Sequence, residues 1–265
     1  MTTSPQALRG SAALRLAFAS RKPAFVGYLT CGFPTAAATV PALLAMQAAG
    51  VDVIEVGVPF SDPMADGGTI QRANEVALAG GVTLADCLAA VRAARAAGLT
   101  VPVVLMGYYN PLLRYGEARV VADAAAAGVD GFIVVDLPLE ECRSFLAACD
   151  AVALAFVPLV APTTTDARLA AIAAIARGFV YCVSVTGVTG ARAALPADLA
   201  PFLARVRAAI PGLPLAVGFG ISTRAQVAEV GALADGVVMG SAIVAKLQAE
   251  GVEGLQAFLT ELLQR

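Results

Sequence analysis

Short apolar runs alternate with longer stretches of helical periodicity along the whole chain. Each run is rich in Val, Ile, Leu or Ala and leads into a turn that contains Gly, Pro or Asp. Runs that are apolar on both faces predict parallel strands covered by helices. Eight such runs occur, at residues 24–29, 53–56, 101–106, 131–135, 153–157, 179–183, 215–217 and 236–239.

Helical stretches separate these runs. Threonine stands where three of the helices should begin, at Thr35, Thr83 and Thr165. Glycine stands where four of them should stop, at Gly50, Gly98, Gly128 and Gly178. The predicted helices cover residues 36–49, 84–97, 118–127, 140–148, 166–176, 197–209 and 224–230.

Eight alternating strand–helix units predict an α/β protein, a (β/α)8 TIM barrel with an additional N-terminal helix, as one domain over residues 1–265. The extra helix is predicted over residues 7–19, and a second helix after the last strand over 253–264. A doubly wound open sheet is the alternative. Against it, the first strand–helix turn reads Thr30-Cys-Gly-Phe-Pro-Thr and lacks the Gly-x-Gly-x-x-Gly pattern of that fold.

Composition narrows the classes of function. The net charge of −2 gives no electrostatic case for nucleic acid or an anionic membrane as a partner. Charges and Gly/Pro interrupt every long apolar stretch, and the first residues lack the pattern of a secretory signal, so we expect a cytoplasmic protein. Five cysteines without metal-like spacing are expected to be reduced core thiols, and no metal site is expected.

The candidate chemistry follows the second strand. The chain has no histidine, so carboxylates are the leading candidates for proton transfer near neutral pH. Glu55 alternates with Ile54 and Val56 and therefore faces inward if these two face the helices. In a barrel mouth of low dielectric its pKa would rise, which suits a general acid or base, although a structural ion pair is the alternative. Asp66 lies in the next loop, before two glycines; Asp62, within Ser-Asp-Pro, is interpreted as a turn residue.

Three glycine-containing loops predict an anion site at one side of the barrel rim. They follow the last three predicted strands and read Thr186-Gly-Val-Thr-Gly190, Gly218-Phe-Gly-Ile-Ser222 and Gly240-Ser-Ala. Glycine lets backbone N–H groups approach a phosphate, and the helix that opens at Ser241 adds free donors and a favourable dipole. Each loop alone could be an ordinary turn.

Apolar side chains that could line the mouth of the barrel are expected between the carboxylates and the glycine-containing loops. They include Tyr28, Met106, Tyr108, Phe156 and Tyr181, and core packing is the better interpretation for Phe156. The arrangement predicts a substrate with a phosphorylated tail and a flat apolar head.

Eight motifs, in content and in order, resemble the tryptophan synthase alpha chain family over nearly the whole chain. The resemblance implies a lyase of tryptophan biosynthesis that cleaves indole-3-glycerol phosphate to indole and glyceraldehyde 3-phosphate. It also implies a tryptophan synthase beta chain as partner in an alpha2beta2 tetramer. Pyridoxal phosphate would belong to that beta chain, with no cofactor in this chain. The motifs begin at Glu55 (EVGVPFSDPMADG), Tyr108 (YYNP), Gly128 (GVDG), Asp136 (DLPLEE), Ala161 (APTT), Ser184 (SVTGVTG), Gly218 (GFGIS) and Gly240 (GSAIV).

The same resemblance assigns roles. Glu55 corresponds to the general acid/base that protonates indole C3 and then helps to remove the glycerol hydroxyl proton. Asp66 corresponds to the second catalytic carboxylate, which interacts with the indole N–H and stabilises positive charge on the ring. Thr189 corresponds to a mobile loop residue that orders against Asp66. Phosphate binding maps to Gly190, Gly220, Gly240 and Ser241, and the substrate pocket to Tyr28, Met106, Tyr181 and Thr189.

Three positions depart from the family pattern. Gly68 stands where proline is usual and is expected to loosen the loop after the second strand. Phe33 replaces an aspartate of many members and is expected to alter a beta-chain contact. Val185 replaces a polar residue of some members. None of the three removes a catalytic group.

Two other functions remain open on the residues alone. A phosphosugar isomerase or aldolase could use the same barrel, although no lysine stands at a predicted strand end for a Schiff base. A barrel kept only as an activating subunit is the other alternative, against which the presence of both Glu55 and Asp66 argues.

Overall fold

The computed structural model describes residues 8–20, 23–183, 196–218 and 220–264. In this part of the chain the strands form one parallel sheet in the order β5-β4-β3-β2-β1-β9-β8-β7-β6. The strands are β1 Ala24–Thr30, β2 Val53–Gly57, β3 Val103–Gly107, β4 Gly131–Val134, β5 Ala155–Phe156, β6 Leu159–Val160, β7 Val180–Val183, β8 Leu215–Gly218 and β9 Gly236–Met239.

The barrel closes just after the fifth predicted strand. The sequence predicts that strand over 153–157; the structure has β5 within it, paired with β4, and a further strand β6 beyond it, paired with β7. Val157 N–H donates to the Phe132 carbonyl at 2.9 Å, and Tyr181 N–H donates to the Pro158 carbonyl at 3.0 Å. Pro158 has no N–H to add to a ladder, which accounts for the break between β5 and β6. Only two residues separate the ends of the sheet order, so the predicted barrel is confirmed.

The helices confirm most of the predicted alternation. Thr83 and Thr165 cap α4 and α8 through their side chains, whereas Thr35 precedes a short 3-10 turn and makes no such bond. Helices α3 and α5 lie where the pattern predicts none. The helices are α1 Gly10–Ser20, α2 Thr39–Ala48, α3 Gly68–Ala79, α4 Leu84–Ala96, α5 Tyr109–Tyr115, α6 Glu117–Ala127, α7 Arg143–Ala151, α8 Asp166–Ile175, α9 Leu199–Ala209, α10 Arg224–Gly231 and α11 Ser241–Leu263.

The N-terminal helix α1 covers the amino-terminal opening of the barrel. Leu14 and Phe18 are fully buried in the same cluster as the strand residues that point into the barrel. The Phe18 ring lies 5.0 Å, centroid to centroid, from the ring of Phe179, which precedes β7. The other apolar core lies between the outer face of the sheet and the helices. The carboxyl ends of the strands are therefore left as the opening of the barrel.

Candidate active site

Glu55 is buried inside the barrel, on the inner face of β2. Its neighbours Ile54 and Val56 pack in the outer core and Val53 in the inner one, as the alternation of side chains in a strand requires. Glu55 is fully buried, and neither carboxyl oxygen has a partner among the described residues. Burial disfavours the charged form and raises the pKa of Glu55 to about 8.

Asp66 is half-buried in the loop between β2 and α3. Burial raises its pKa to about 6, against the opposing effect of hydrogen bonds from Tyr108 and Asn74. Asn74 Nδ2 donates to Asp66 Oδ2 at 3.4 Å, and the Tyr108 hydroxyl oxygen accepts from Ala65 N–H at 2.9 Å. Asp66 N–H donates to the Pro63 carbonyl at 3.0 Å. The two carboxyl groups therefore have different surroundings. Among the described residues, Glu55 has no hydrogen-bond donor, whereas Asp66 has two.

One cavity of about 150 Å³ at the barrel mouth brings the candidate residues together. No lysine or arginine is among the described residues that line it. Gly190 and Thr189 lie outside the described residues. The predicted site residues that line the cavity are Glu55, Asp66, Tyr28, Met106, Tyr181, Gly220, Gly240 and Ser241.

Two strand-end glycines make room for tyrosine hydroxyls. A Cβ atom at Gly57 would overlap the hydroxyl of Tyr28, and one at Gly218 would overlap the hydroxyl of Tyr181. The Tyr28 hydroxyl also shares a hydrogen bond of 3.1 Å with Thr30 Oγ1. Burial raises the pKa of both phenols, so they remain neutral beside the carboxyl groups.

The predicted anion side of the cavity is formed by Gly220, Gly240 and Ser241. Gly220 has a φ of +67°, in the region that favours glycine. Ser241 is the first residue of α11, so the free backbone N–H groups of that helix open beside the cavity.

Asn74, which donates a hydrogen bond to Asp66, is a residue that the sequence pattern did not single out. It is 2% exposed and lies on the buried face of α3 with Ile70, Ala73 and Ala77. The spacing of these four residues is the helical pattern that would have predicted α3. The Oδ1 atom of Asn74 is buried without a hydrogen-bond partner in the described part of the chain.

Two of the departures from the family pattern have clear surroundings. Phe33 is buried against Tyr28 and Ile70, so it packs within the protein instead of presenting a side chain to a partner. Gly68 is exposed at the start of α3, and a Cβ atom there would meet nothing within 4 Å. Val185 lies outside the described residues.

Other classes of site find little support in the described ranges. No group of three or more Cys, Asp or Glu side chains there could hold a metal ion, and the five cysteines are buried free thiols. No single described helix has the length and apolar composition needed to cross a bilayer; α3 and α4 meet that test only as a pair, bent by 96°.

Comparison with known proteins identifies relatives of this barrel. The family model described as tryptophan synthase alpha chain matches residues 14–264. The tryptophan synthase alpha chain of Chloroflexus aggregans is 49% identical over 248 residues, which are 92% of each protein. The tryptophan synthase of Saccharomyces cerevisiae is 52% identical over 87% of this chain, which spans only 33% of the yeast protein. A structure of Mycobacterium tuberculosis tryptophan synthase is 44% identical, has a TM-score of 0.88 and is covered over 97% of each chain.

Proposed function

We propose that Glu55 and Asp66 catalyse the reaction of the family to which this chain belongs. The chain is a member of the tryptophan synthase alpha chain family, whose members are lyases that cleave indole-3-glycerol phosphate in tryptophan biosynthesis. The supporting observation is that two carboxyl groups with different pKa values, about 8 and about 6, line one cavity. Separated pKa values let one group hold a proton while the other is ionised at the same pH.

Glu55 is the proton donor and acceptor of the proposal. With a pKa of about 8, its carboxyl group is protonated at neutral pH and can protonate indole C3. The bond between C3 and the glycerol carbon then breaks, and its electron pair returns to the ring. The hydroxyl on that glycerol carbon becomes the aldehyde and returns its proton to the Glu55 carboxylate. The cycle leaves Glu55 as it began, with no net oxidation or reduction.

Asp66 stabilises the charge that develops on the ring. Protonation of C3 places positive charge at the indole nitrogen, and an ionised carboxylate that accepts the N–H hydrogen bond lowers the energy of that species. The hydrogen bonds from Tyr108 and Asn74 favour the ionised form of Asp66. No lysine or arginine among the described lining residues competes for the carboxylate.

The phosphate end of the substrate would lie against Gly220, Gly240 and Ser241, with Gly190 contributing from the loop after β7. The N–H groups at the start of α11 supply donors and a favourable dipole. Tyr28, Met106 and Tyr181 would line the indole side, and Thr189 would complete the loop beside Asp66. In this proposal the anion and the two carboxyl groups would lie on separate sides of the cavity that these residues line.

The test is turnover of indole-3-glycerol phosphate by two near-isosteric variants. Glu55→Gln and Asp66→Asn are each expected to lower kcat by about 10²–10⁴-fold, because each removes a group that acts on the reacting ring. The matched control is Glu250→Gln, an exposed partner of Lys246 on α11, which should keep full activity. A folded Glu55→Gln protein with near-full activity would refute the assignment.

The partner is the second part of the proposal. We infer that the chain works with a tryptophan synthase beta chain in an alpha2beta2 tetramer in the cytoplasm, with pyridoxal phosphate in the beta chain. In support, Met64, in the loop that carries Asp66, is 86% exposed beside the mouth of the cavity. Turnover by the chain alone should be low and should rise strongly when the beta chain is added, and equal rates would contradict a coupled pair.

A further inference from the structure

We propose that Asn74 is a positioning residue for the cleavage reaction: its side-chain amide holds Oδ2 of Asp66 so that the other carboxylate oxygen is left for the indole N–H. This inference rests on the proposed role of Asp66. It adds a residue on α3, behind the carboxylate, to a site otherwise built from strand ends and loops.

The first support is the surroundings of the amide. Asn74 lies on the face of α3 that packs inward, among Ile70, Ala73 and Ala77, where an apolar side chain would fit the pattern. Its Nδ2 donates to Asp66 Oδ2 at 3.4 Å, a length that catalytic hydrogen bonds often have before the ligand is bound. A polar side chain in this position needs an explanation, and the hydrogen bond to Asp66 supplies one.

The second support is what Asn74 leaves unsatisfied. Its Oδ1 is buried with no partner among the described residues, so this amide is a poor device for stabilising the fold. A leucine of similar shape would avoid that cost. The amide of Asn74 is therefore better explained by the hydrogen bond that it donates to Asp66 than by its contribution to packing.

The third support is the set of groups that donate hydrogen bonds to Asp66. Tyr108 accepts from Ala65 N–H and uses its own proton toward Asp66, so the carboxylate has one donor from β3's loop and one from α3. Among the described residues, the other titratable groups that line the cavity with Asp66 are Glu55 from β2, Tyr28 from β1 and Tyr181 from β7. None of them supplies a positive charge, so the two donors are what favours ionisation of Asp66.

The experiment is the pH dependence of Asn74→Leu. Loss of the donor should raise the pKa of Asp66, so the acid limb of kcat/KM should move to higher pH by at least about 0.5 unit. We expect kcat to fall at neutral pH while KM for indole-3-glycerol phosphate changes little. The carbon-13 carboxyl signal of Asp66, assigned by its loss in Asp66→Asn, should titrate at correspondingly higher pH.

Stability separates a positioning role from a structural one. Because Asn74 Oδ1 is buried without a partner among the described residues, Asn74→Leu should unfold at the same temperature as the parent or at a higher one. The matched control is Thr39→Val on α2. It removes the buried hydroxyl that accepts a hydrogen bond from Gly32 N–H, so it should lower stability without moving the acid limb of kcat/KM. A stability loss in Asn74→Leu with an unmoved acid limb would overturn the inference.

The two proposals fail in different ways. If Asp66→Asn retains activity, the role of Asp66 itself is wrong. If Asp66→Asn is inactive and Asn74→Leu leaves both the pH profile and the Asp66 titration unchanged, only the role of Asn74 is wrong.

Discussion

Two buried carboxyl groups, at opposite ends of the same barrel, have contrary surroundings. Asp130 precedes β4 at the amino-terminal end and is fully buried, as is Glu55 near the mouth. Asp130 accepts from Gly10 N–H at 2.7 Å and from Val103 N–H at 2.9 Å, and it pairs with Arg95 at 2.8 Å. Glu55 has no hydrogen-bond partner in the part of the chain that the structure describes.

The difference shows how this fold divides its tasks. The bonds of Asp130 join α1, α4 and the starts of β3 and β4, so the carboxylate holds the closed end together. The isolation of Glu55 costs stability and leaves the carboxyl group free to exchange a proton. In barrels of this class the amino-terminal face serves stability and the carboxyl-terminal face serves chemistry.

The largest expected effect is at the closed end. Asp130→Asn should lower the free energy of unfolding by about 3–5 kcal/mol, because it leaves the nearly buried Arg95 without its counter-charge. Denaturant unfolding followed by circular dichroism measures the loss. The control is Asp166→Asn, whose side chain is 83% exposed in its pair with Arg205 and should cost less than about 1 kcal/mol. Equal losses in the two variants would remove the contrast between the ends.

The opposite result is expected at the open end. Burial raises the pKa of Glu55 from its ordinary value of 4.5 to about 8 in the folded protein, so the folded state binds more protons across that interval and stability falls as pH rises through it. Glu55→Gln should therefore raise the free energy of unfolding by about 4 kcal/mol at pH 8 and by almost nothing at pH 4. Unfolding curves at the two pH values test this, and a variant that is less stable at pH 8 would contradict it.

Activity should follow the same two groups. Because the proposed mechanism requires Asp66 to be ionised and Glu55 to be protonated, kcat/KM should be highest between about pH 6 and pH 8. One pH unit beyond each limit the rate should fall about tenfold. A rate profile from pH 5 to pH 9 measures both limbs, and a flat profile would show that these carboxyl groups do not govern the reaction.

The smallest expected effect is a gain in stability beside Asp66. Gly68 is the first residue of α3, a position that tolerates proline, and Gly67 before it is extended at φ −79° and ψ 165°. Gly68→Pro should raise the free energy of unfolding by about 0.4–1 kcal/mol, chiefly by restricting the unfolded chain. Gly81→Pro is the control, because its φ of +77° is closed to proline and should make the variant less stable. A loss of stability in Gly68→Pro would contradict the expectation that the space around this residue accommodates a proline ring.

The sequence predicts the parts of this molecule that a local pattern controls. The inward direction of Glu55 follows from alternation along β2, and the caps at Thr83 and Thr165 follow from residue type. Placement of Gly220 and Gly240 near Glu55 follows from the barrel, since strand ends share one face.

Other features depend on contacts between distant segments. The pairing of Asp130 with Arg95 joins residues 35 apart, and neither position carries a local signal for it. The pKa difference between Glu55 and Asp66 arises from burial and from Tyr108 and Asn74, which no spacing along the chain reveals. The break before β6 did have a signal, because a proline interrupts that apolar run.

Closure of the amino-terminal end of the barrel by α1 has a consequence for how small molecules reach the interior. With Leu14 and Phe18 filling the amino-terminal end, the described residues leave the interior open at the carboxyl ends of the strands. A substrate that binds beside Glu55 would enter at those ends. A partner that covers this opening would control the access of the substrate to the carboxyl groups.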